Sequence, residues 1–227
     1  MKKDARALFP DPMTADDDGL LCYGGDLQVE TLCEAYSHGI FPWPQPGLPL
    51  LWFSPLERGV IDFAEIHWPK RLLRDIRKHK FKVTFNRAFE SVIAECAAVP
   101  RAHEKGTWIL PEMQKAYARF HQAGYAHSVE CWSESGALIG GLYGVYVGGV
   151  FSGESMFFKT SNASKHCLYH LIEALRNSGL QWMDIQMVTP VSESVGGKYI
   201  SREDFQARLK KAHAKPPELL FSSDKKT

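Results

Sequence analysis

Three extended runs joined by very short turns constrain this chain more than any other feature. They are Ala126 to Trp132, Ala137 to Val147 and Gly149 to Phe157. The joints are Ser133-Glu134-Ser135-Gly136 and Gly148-Gly149, both with hairpin chemistry. Connections this short can only return a strand antiparallel to its predecessor, because a parallel neighbour needs a crossover of a dozen residues or more. The middle run carries Gly140, Gly141 and Gly144. Strand glycines mark bulges or the close approach of another backbone. The third run ends in Gly153-Glu154-Ser155-Met156-Phe157, with an acid where little else in the strand is polar.

Helical patterns surround this meander. Val29 to His38 reads as a helix with Gly39 at C′, and Pro111 starts one that stops near Gly124. Asn86 and Asn162 stand where N-caps belong, ahead of the stripes Phe89, Val92, Ile93, Cys96 and Leu168, Leu171, Ile172, Leu175. Ser201, with Asp204 three residues on, opens the last helix. Gly59 to Asp62, Phe81 to Phe85 and Trp182 to Met187 read as strands, and Arg101 to Gly106 and Val191 to Lys198 as loops. Helices, a meander, a helix and a further strand give an α+β class with a mainly antiparallel sheet. The opening stretch, dense in Pro, Gly and Trp, reads as a small aromatic module with little regular structure. The expected division is residues 1–62 and 63–227.

Lys70 to Lys82 carries seven Lys or Arg against one acid, Asp75, in a chain of 227 residues whose formal net charge is only +1. Leu72, Leu73 and Ile76 supply a buried stripe, which leaves Lys70, Arg71, Arg74, Arg77 and Lys78 on the surface. Most such runs are solvated faces, but this one is not balanced by acids at i, i+4, which favours contact with a phosphate backbone. Trp43 and Trp52 sit in Pro-rich loops, where a ring is either core or a stacking platform for a base. Five scattered cysteines fit reduced thiols rather than a disulfide framework. Neither a signal peptide nor a span of roughly 20 apolar residues is visible, so the expected setting is cytoplasmic, with no membrane partner.

Asp184 and Gln186 are two apart on a strand and should face one space. If Glu154 borders that space, the site has two carboxylates and an amide. His166 and His170 have the spacing of two metal ligands but no third, so no metal is expected. Neither a P-loop nor a G-x-G-x-x-G fingerprint is present.

The order of short words along the chain resembles the bacterial leucyl/phenylalanyl-tRNA–protein transferases over nearly its whole length. The words are Gly24-Gly25-Asp26-Leu27, Gly39-Ile40-Phe41-Pro42-Trp43, Leu51-Trp52-Phe53-Ser54-Pro55 with Arg58, and Gly106-Thr107-Trp108-Ile109. Ala126-His127-Ser128-Val129-Glu130, Gly140 to Val145, Gly153 to Phe157, Asn162-Ala163-Ser164-Lys165 and Asp184-x-Gln186 complete the series. The resemblance implies a small N-terminal domain joined to a Gcn5-type acetyltransferase-like domain. It implies transfer of Leu, Phe and, less well, Met from aminoacyl-tRNA to proteins beginning with Arg or Lys, in the N-degron route, with no cofactor. Asp184, Gln186 and Glu154 would form the catalytic centre, and Trp43 and Trp108 would meet the terminal adenosine. Leu142, Phe151, Met156 and Leu168 are the candidates for the donor side-chain pocket, and the basic helix would hold the acceptor stem.

Alternatives are the same chemistry on acidic N-termini, a non-catalytic tRNA binder, and an acyl-CoA-dependent N-acyltransferase. The last needs a Gly-rich phosphate loop, which Phe157 to Ser161 does not supply. The chain departs from the resemblance at Thr189 to Gly197, where Val191 stands at the position of a His.

Overall fold

The computed structural model describes residues 8–78, 81–99 and 107–221. The expected loop Arg101 to Gly106 and the end of the basic run at Lys80 lie outside them. The first module holds β1 (Leu20–Tyr23), α1 (Val29–Ser37), β2 (Phe41–Pro42) and β3 (Leu51–Phe53). Its strands form a three-stranded antiparallel sheet in the order β1-β3-β2. The sequence reading expected little regular structure here. Strands this short, broken by Pro and Gly, are too brief to display a two-residue period. Trp52, 1 % exposed, anchors the sheet, and its indole N–H donates to the Gly24 carbonyl at 2.9 Å.

The next strand, β4 (Glu57–Asp62), already belongs to the second sheet, where it pairs with β9 and β10. A boundary after residue 62 would cut that sheet, so the change of module falls between Phe53 and Glu57. The chain continues through α2 (Lys70–Lys78), β5 (Lys82–Phe85), α3 (Phe89–Ala98) and α4 (Pro111–Gln122). The meander β6 (Ala126–Trp132), β7 (Leu138–Val147) and β8 (Val150–Phe158) follows. Then come α5 (Ala163–Asn177), β9 (Trp182–Gln186), α6 (Pro190–Glu193), β10 (Gly197–Ser201) and α7 (Arg202–Ala214). The segment expected to be a loop from Val191 thus holds a short helix, capped reciprocally by Thr189 and Ser192, and an edge strand.

Seven strands run β10-β4-β9-β8-β7-β6-β5. Every pairing is antiparallel except β8 with β9. Alternation on β7 feeds two cores. Tyr143 and Val145 face α1, α3 and α4, whereas Leu142 faces α5. The glycine of β7 nearest α5 is there for proximity: a Cβ on Gly140 would stand 2.6 Å from that of Ala163, where α5 begins.

Both asparagines expected to cap helices instead take left-handed backbone, Asn86 at φ 57° and Asn162 at φ 65°. The buried Glu130 holds the turn that leads into α3, accepting the backbone N–H groups of Arg87 and Ala88 at 3.2 Å. Asn162 turns its amide to Asp75 of α2 at 3.0 Å. No helix among the described residues is long and apolar enough to cross a membrane.

Candidate active site

The one parallel pair makes the site. β8 and β9 are in register at Ser152 and Asp184 and then part. The wedge between them opens into a cavity of about 380 Å³. Its walls are Glu154 and Met156 from β8, Met183 and Ile185 from β9, Leu142 from β7, and Leu168 and Leu171 from α5. Thr189, Val191 and Ser192 close one side, so the segment that departs from the resemblance shapes the cavity directly. Trp43 and Trp108 stand together at another side, ring centroids 5.9 Å apart and tilted by 30°. The structure brings these two rings to one place from positions far apart in the chain.

Of the four residues proposed for the donor pocket, Leu142, Met156 and Leu168 line the cavity. Phe151 does not. It is fully buried in the core beside Gly144, one residue before the point where β8 and β9 separate. Ile61, Met183, Ile185 and Leu171 line the cavity although sequence reading did not single them out for it. Their spacing only marks them as core, and the parting of the strands is what exposes them.

Asp184 is 0 % exposed and wholly occupied. Arg58 of β4 grips it with two bonds, Nε to Oδ1 at 2.8 Å and Nη2 to Oδ2 at 2.7 Å. Ser152 Oγ donates to Oδ2 at 2.8 Å, and the backbone N–H of Gln186 donates to Oδ1 at 2.9 Å. Arg58 is held in turn by the Gly39 carbonyl at 2.9 Å and between the rings of Phe41 and Phe205, 4.6 and 4.5 Å from their centroids. A buried charge survives only when paired and fully bonded, and this one is. The expectation that Asp184 and Gln186 both face the reaction space is therefore corrected: Asp184 cannot touch a substrate, and it fixes the end of β9.

At that end Gln186 takes φ 59°, outside strand geometry, and its Nε2 donates to Glu154 Oε1 at 2.8 Å. Tyr36 of α1 donates to the same oxygen at 2.8 Å. The Tyr36 hydroxyl is also in short contact with that of Tyr117 of α4. Since Tyr36 gives its proton to Glu154, Tyr117 supplies the proton between the two. Burial first, and then the charge of Glu154, push both phenols well above their ordinary range, so both stay neutral donors. Burial also dominates at Glu154, whose remaining surface faces the cavity, and pushes its carboxyl up to about 7 against the opposing bond from Tyr36.

Both donors converge on Oε1, so Oε2 of Glu154 and Oε1 of Gln186 are left without a partner among the described residues. The Glu154 carboxylate lines the apolar cavity, and the Gln186 amide bonded to it adds a second acceptor, a pair suited to an amine.

Elsewhere the sequence candidates separate. Lys70, Arg71, Arg74, Arg77 and Lys78 are all exposed on α2, and none is ion-paired with a described residue. His166 is buried with its Nε2 3.3 Å from Asp75, and no group of three potential metal ligands occurs among the described residues.

The family described as leucyl/phenylalanyl-tRNA protein transferase matches residues 60–210. The N-terminal domain of the same family matches residues 25–56. A leucyl/phenylalanyl-tRNA–protein transferase of Maridesulfovibrio salexigens is 47% identical, over 92% of this chain and 87% of its own. Those of Desulfatibacillum aliphaticivorans and Syntrophobacter fumaroxidans are each 50% identical, over 87% and 89% of this chain and 84% and 86% of theirs.

Proposed function

Because the chain belongs to the leucyl/phenylalanyl-tRNA–protein transferase family, an aminoacyltransferase family, we propose that it moves Leu, Phe and, less well, Met from aminoacyl-tRNA to the α-amine of proteins beginning with Arg or Lys. Proteins so extended enter the N-degron route to degradation. The observation that carries the reading is the apolar wedge cavity lined by Glu154, whose carboxylate is bonded to the Gln186 amide behind it. An apolar cavity of this size takes a branched aliphatic or aromatic side chain and rejects a charged one through its desolvation cost. Trp43 and Trp108 are positioned for the terminal adenine, since a ring pair offers a base a stacking surface without reading its identity.

The donor ester is already activated, so the reaction needs orientation and charge stabilisation rather than a covalent enzyme intermediate. The acceptor α-amine, with an ordinary pKa of about 7.7–8.0, is partly free near neutral pH. Gln186 Oε1 accepts one amine N–H and aims the nitrogen lone pair at the ester carbonyl. The new C–N bond forms, the tetrahedral oxyanion collapses, and the C–O bond to the ribose breaks. The proton lost by nitrogen ends on the departing ribose oxygen, directly or through water. Glu154 holds the acceptor's positive group through Oε2, and Asp184 positions Gln186 from behind. Lys70, Arg71, Arg74, Arg77 and Lys78 bind the acceptor stem through its phosphates.

The test is transfer of labelled Leu from Leu-tRNA to four peptides beginning with Arg, Lys, Asp or Glu, without ATP or acetyl-CoA. Product on the Arg and Lys peptides is expected. Product on the acidic peptides alone would overturn the acceptor assignment, and no product on any would overturn the reaction.

A further inference from the structure

A second cavity, of about 320 Å³, is lined by neighbouring residues of the same α5 and α6 segments and has a different character. Arg71 of α2 and Lys165 of α5 line it, with Ser161, Asn162 and Ser194. Neither cation is ion-paired with a described residue, although they come from different helices. Two unpaired cations facing one small cavity repel each other, so the arrangement is relieved by an anion between them. The helices are pinned in this relation: Asp75 of α2 accepts from Asn162 at 3.0 Å and lies 3.3 Å from His166 Nε2. That contact spends the Asp75 carboxylate on α5 rather than on the two cations.

Position says which anion. Lys165 and Leu168 are three residues apart on α5, on one face of the helix, and Leu168 lines the donor cavity. The rise between them is about 4.5 Å. The two cavities also share the segment around α6, with Ser192 on one and Ser194 on the other. Arg71 continues outward into the exposed basic row of Lys70, Arg74, Arg77 and Lys78. A strand of nucleic acid carries a phosphate about every 3.4 Å along a helix and farther apart when unstacked. A phosphate one or two nucleotides behind an aminoacylated end held in the donor cavity would suit a cation pair on this neighbouring stretch of α5.

We propose that Arg71 and Lys165, with the Ser161 and Ser194 hydroxyls, form a binding site for the phosphodiester just behind the terminal nucleoside of the donor. Arg71 supplies the planar fork that matches phosphate oxygens, and Lys165 supplies a point charge from the opposite wall. The site rests on the aminoacyl-tRNA reading above and makes it specific: the last phosphates are held in a fixed cavity, while those of the stem meet an open surface.

The experiment compares two Phe donors in wild type, Arg71→Ala and Lys165→Ala. One is phenylalanyl-adenosine, which has no phosphate, and the other is the dinucleotide pCpA esterified with Phe. Each variant is expected to lower the preference for the phosphate-bearing donor, as the ratio of kcat/KM values, by about tenfold. Lys165→Arg should restore most of it and Arg71→Lys only part, because a point charge replaces the fork, and melting temperatures should match wild type, since Arg71 is exposed and Lys165 partly so. An unchanged ratio would overturn the site, as would a rise in the KM of the acceptor peptide in its place. If wild type transfers from neither donor, the catalytic reading fails. The site is then read by affinity for the oligonucleotide pCpCpA, which the variants must weaken by the same factor for the proposal to stand.

Discussion

Replacing Tyr36 by Phe removes one hydroxyl, leaves the buried Tyr117 hydroxyl without that acceptor, and keeps the ring stacked on Phe120. The hydroxyl donates to Glu154 at 2.8 Å, one of two bonds that favour the ionised carboxylate against burial. A hydrogen bond to a charged group is worth about 1.5–3 kcal/mol, or roughly 1 to 2 pKa units. The Glu154 carboxyl, already pushed up to about 7, should rise by that much. If acceptor binding requires the carboxylate, kcat/KM for an Arg-peptide falls about ten- to a hundredfold in the variant below pH 7. It converges on wild type near pH 9.5. The acceptor amine titrates in the same range, but it does so equally in both enzymes and cancels in their ratio. Initial rates of Leu transfer between pH 6 and 9.5, corrected for spontaneous ester hydrolysis, supply that ratio. A ratio constant with pH would mean that Tyr36 acts through shape, and the electrostatic account of Glu154 would be wrong.

Three other outcomes follow from the same contacts. Glu154 binds its proton more tightly folded than unfolded, so stability declines as pH rises from about 4.5 to 7, by at most about 3 kcal/mol. Glu154→Gln keeps an amide oxygen where both donors converge and carries no charge. It should therefore melt several degrees above wild type at pH 8, nearly match it at pH 5, and lose transfer; equal melting at pH 8 would refute the cost assigned to that charge. Arg58→Met strands Asp184 as a buried, unpaired charge, a loss of about 3–5 kcal/mol. At about 2–4 °C per kcal/mol for a chain of this size, calorimetry should show a drop of 6 °C or more; an unchanged melting temperature would mean that the pair is not structural. Met156→Ala widens the cavity at its edge and should reduce kcat/KM for Leu and Phe donors by about tenfold or more, with the KM of the acceptor peptide unchanged. A change confined to the acceptor would remove Met156 from the donor pocket.

Local rules read local features well. The short joints require the antiparallel meander, and Gly39, at φ 72°, ends α1 as its position after the helix foretells. That turn matters twice over, because Tyr36 lies just before it and the Gly39 carbonyl holds Arg58. Asp184 and Gln186 were visible as a pair because a two-residue period joins them. Their partners were not. Arg58 meets Asp184 across 126 positions of sequence, and Tyr36 meets Glu154 across 118. No spacing rule spans such distances, and a Tyr in a helical stripe looks the same whether its hydroxyl is idle or bonded to a buried carboxylate. The asparagines misled for a related reason: their tolerance of left-handed backbone competes with their value as caps, and only tertiary contacts decide between the two.

The wedge itself was beyond pattern reading, yet its logic is simple. Pairing β9 to β8 in parallel lets both strands run the same way from Ser152 and Asp184, so any divergence opens a gap that grows along both of them. An antiparallel neighbour would have brought one strand's start beside the other's end and closed the gap with a turn. Peptide groups on the parted edge of β8 have no ladder partner among the described residues beyond Ser152, and buried peptide groups must be satisfied somehow. A substrate with its own amide and ester oxygens is suited to supply what the missing strand does not. The buried Arg58–Asp184 pair sits at the root of the wedge, where the last shared register has to be held against separation. On this geometry the pair keeps that root closed while the mouth stays open.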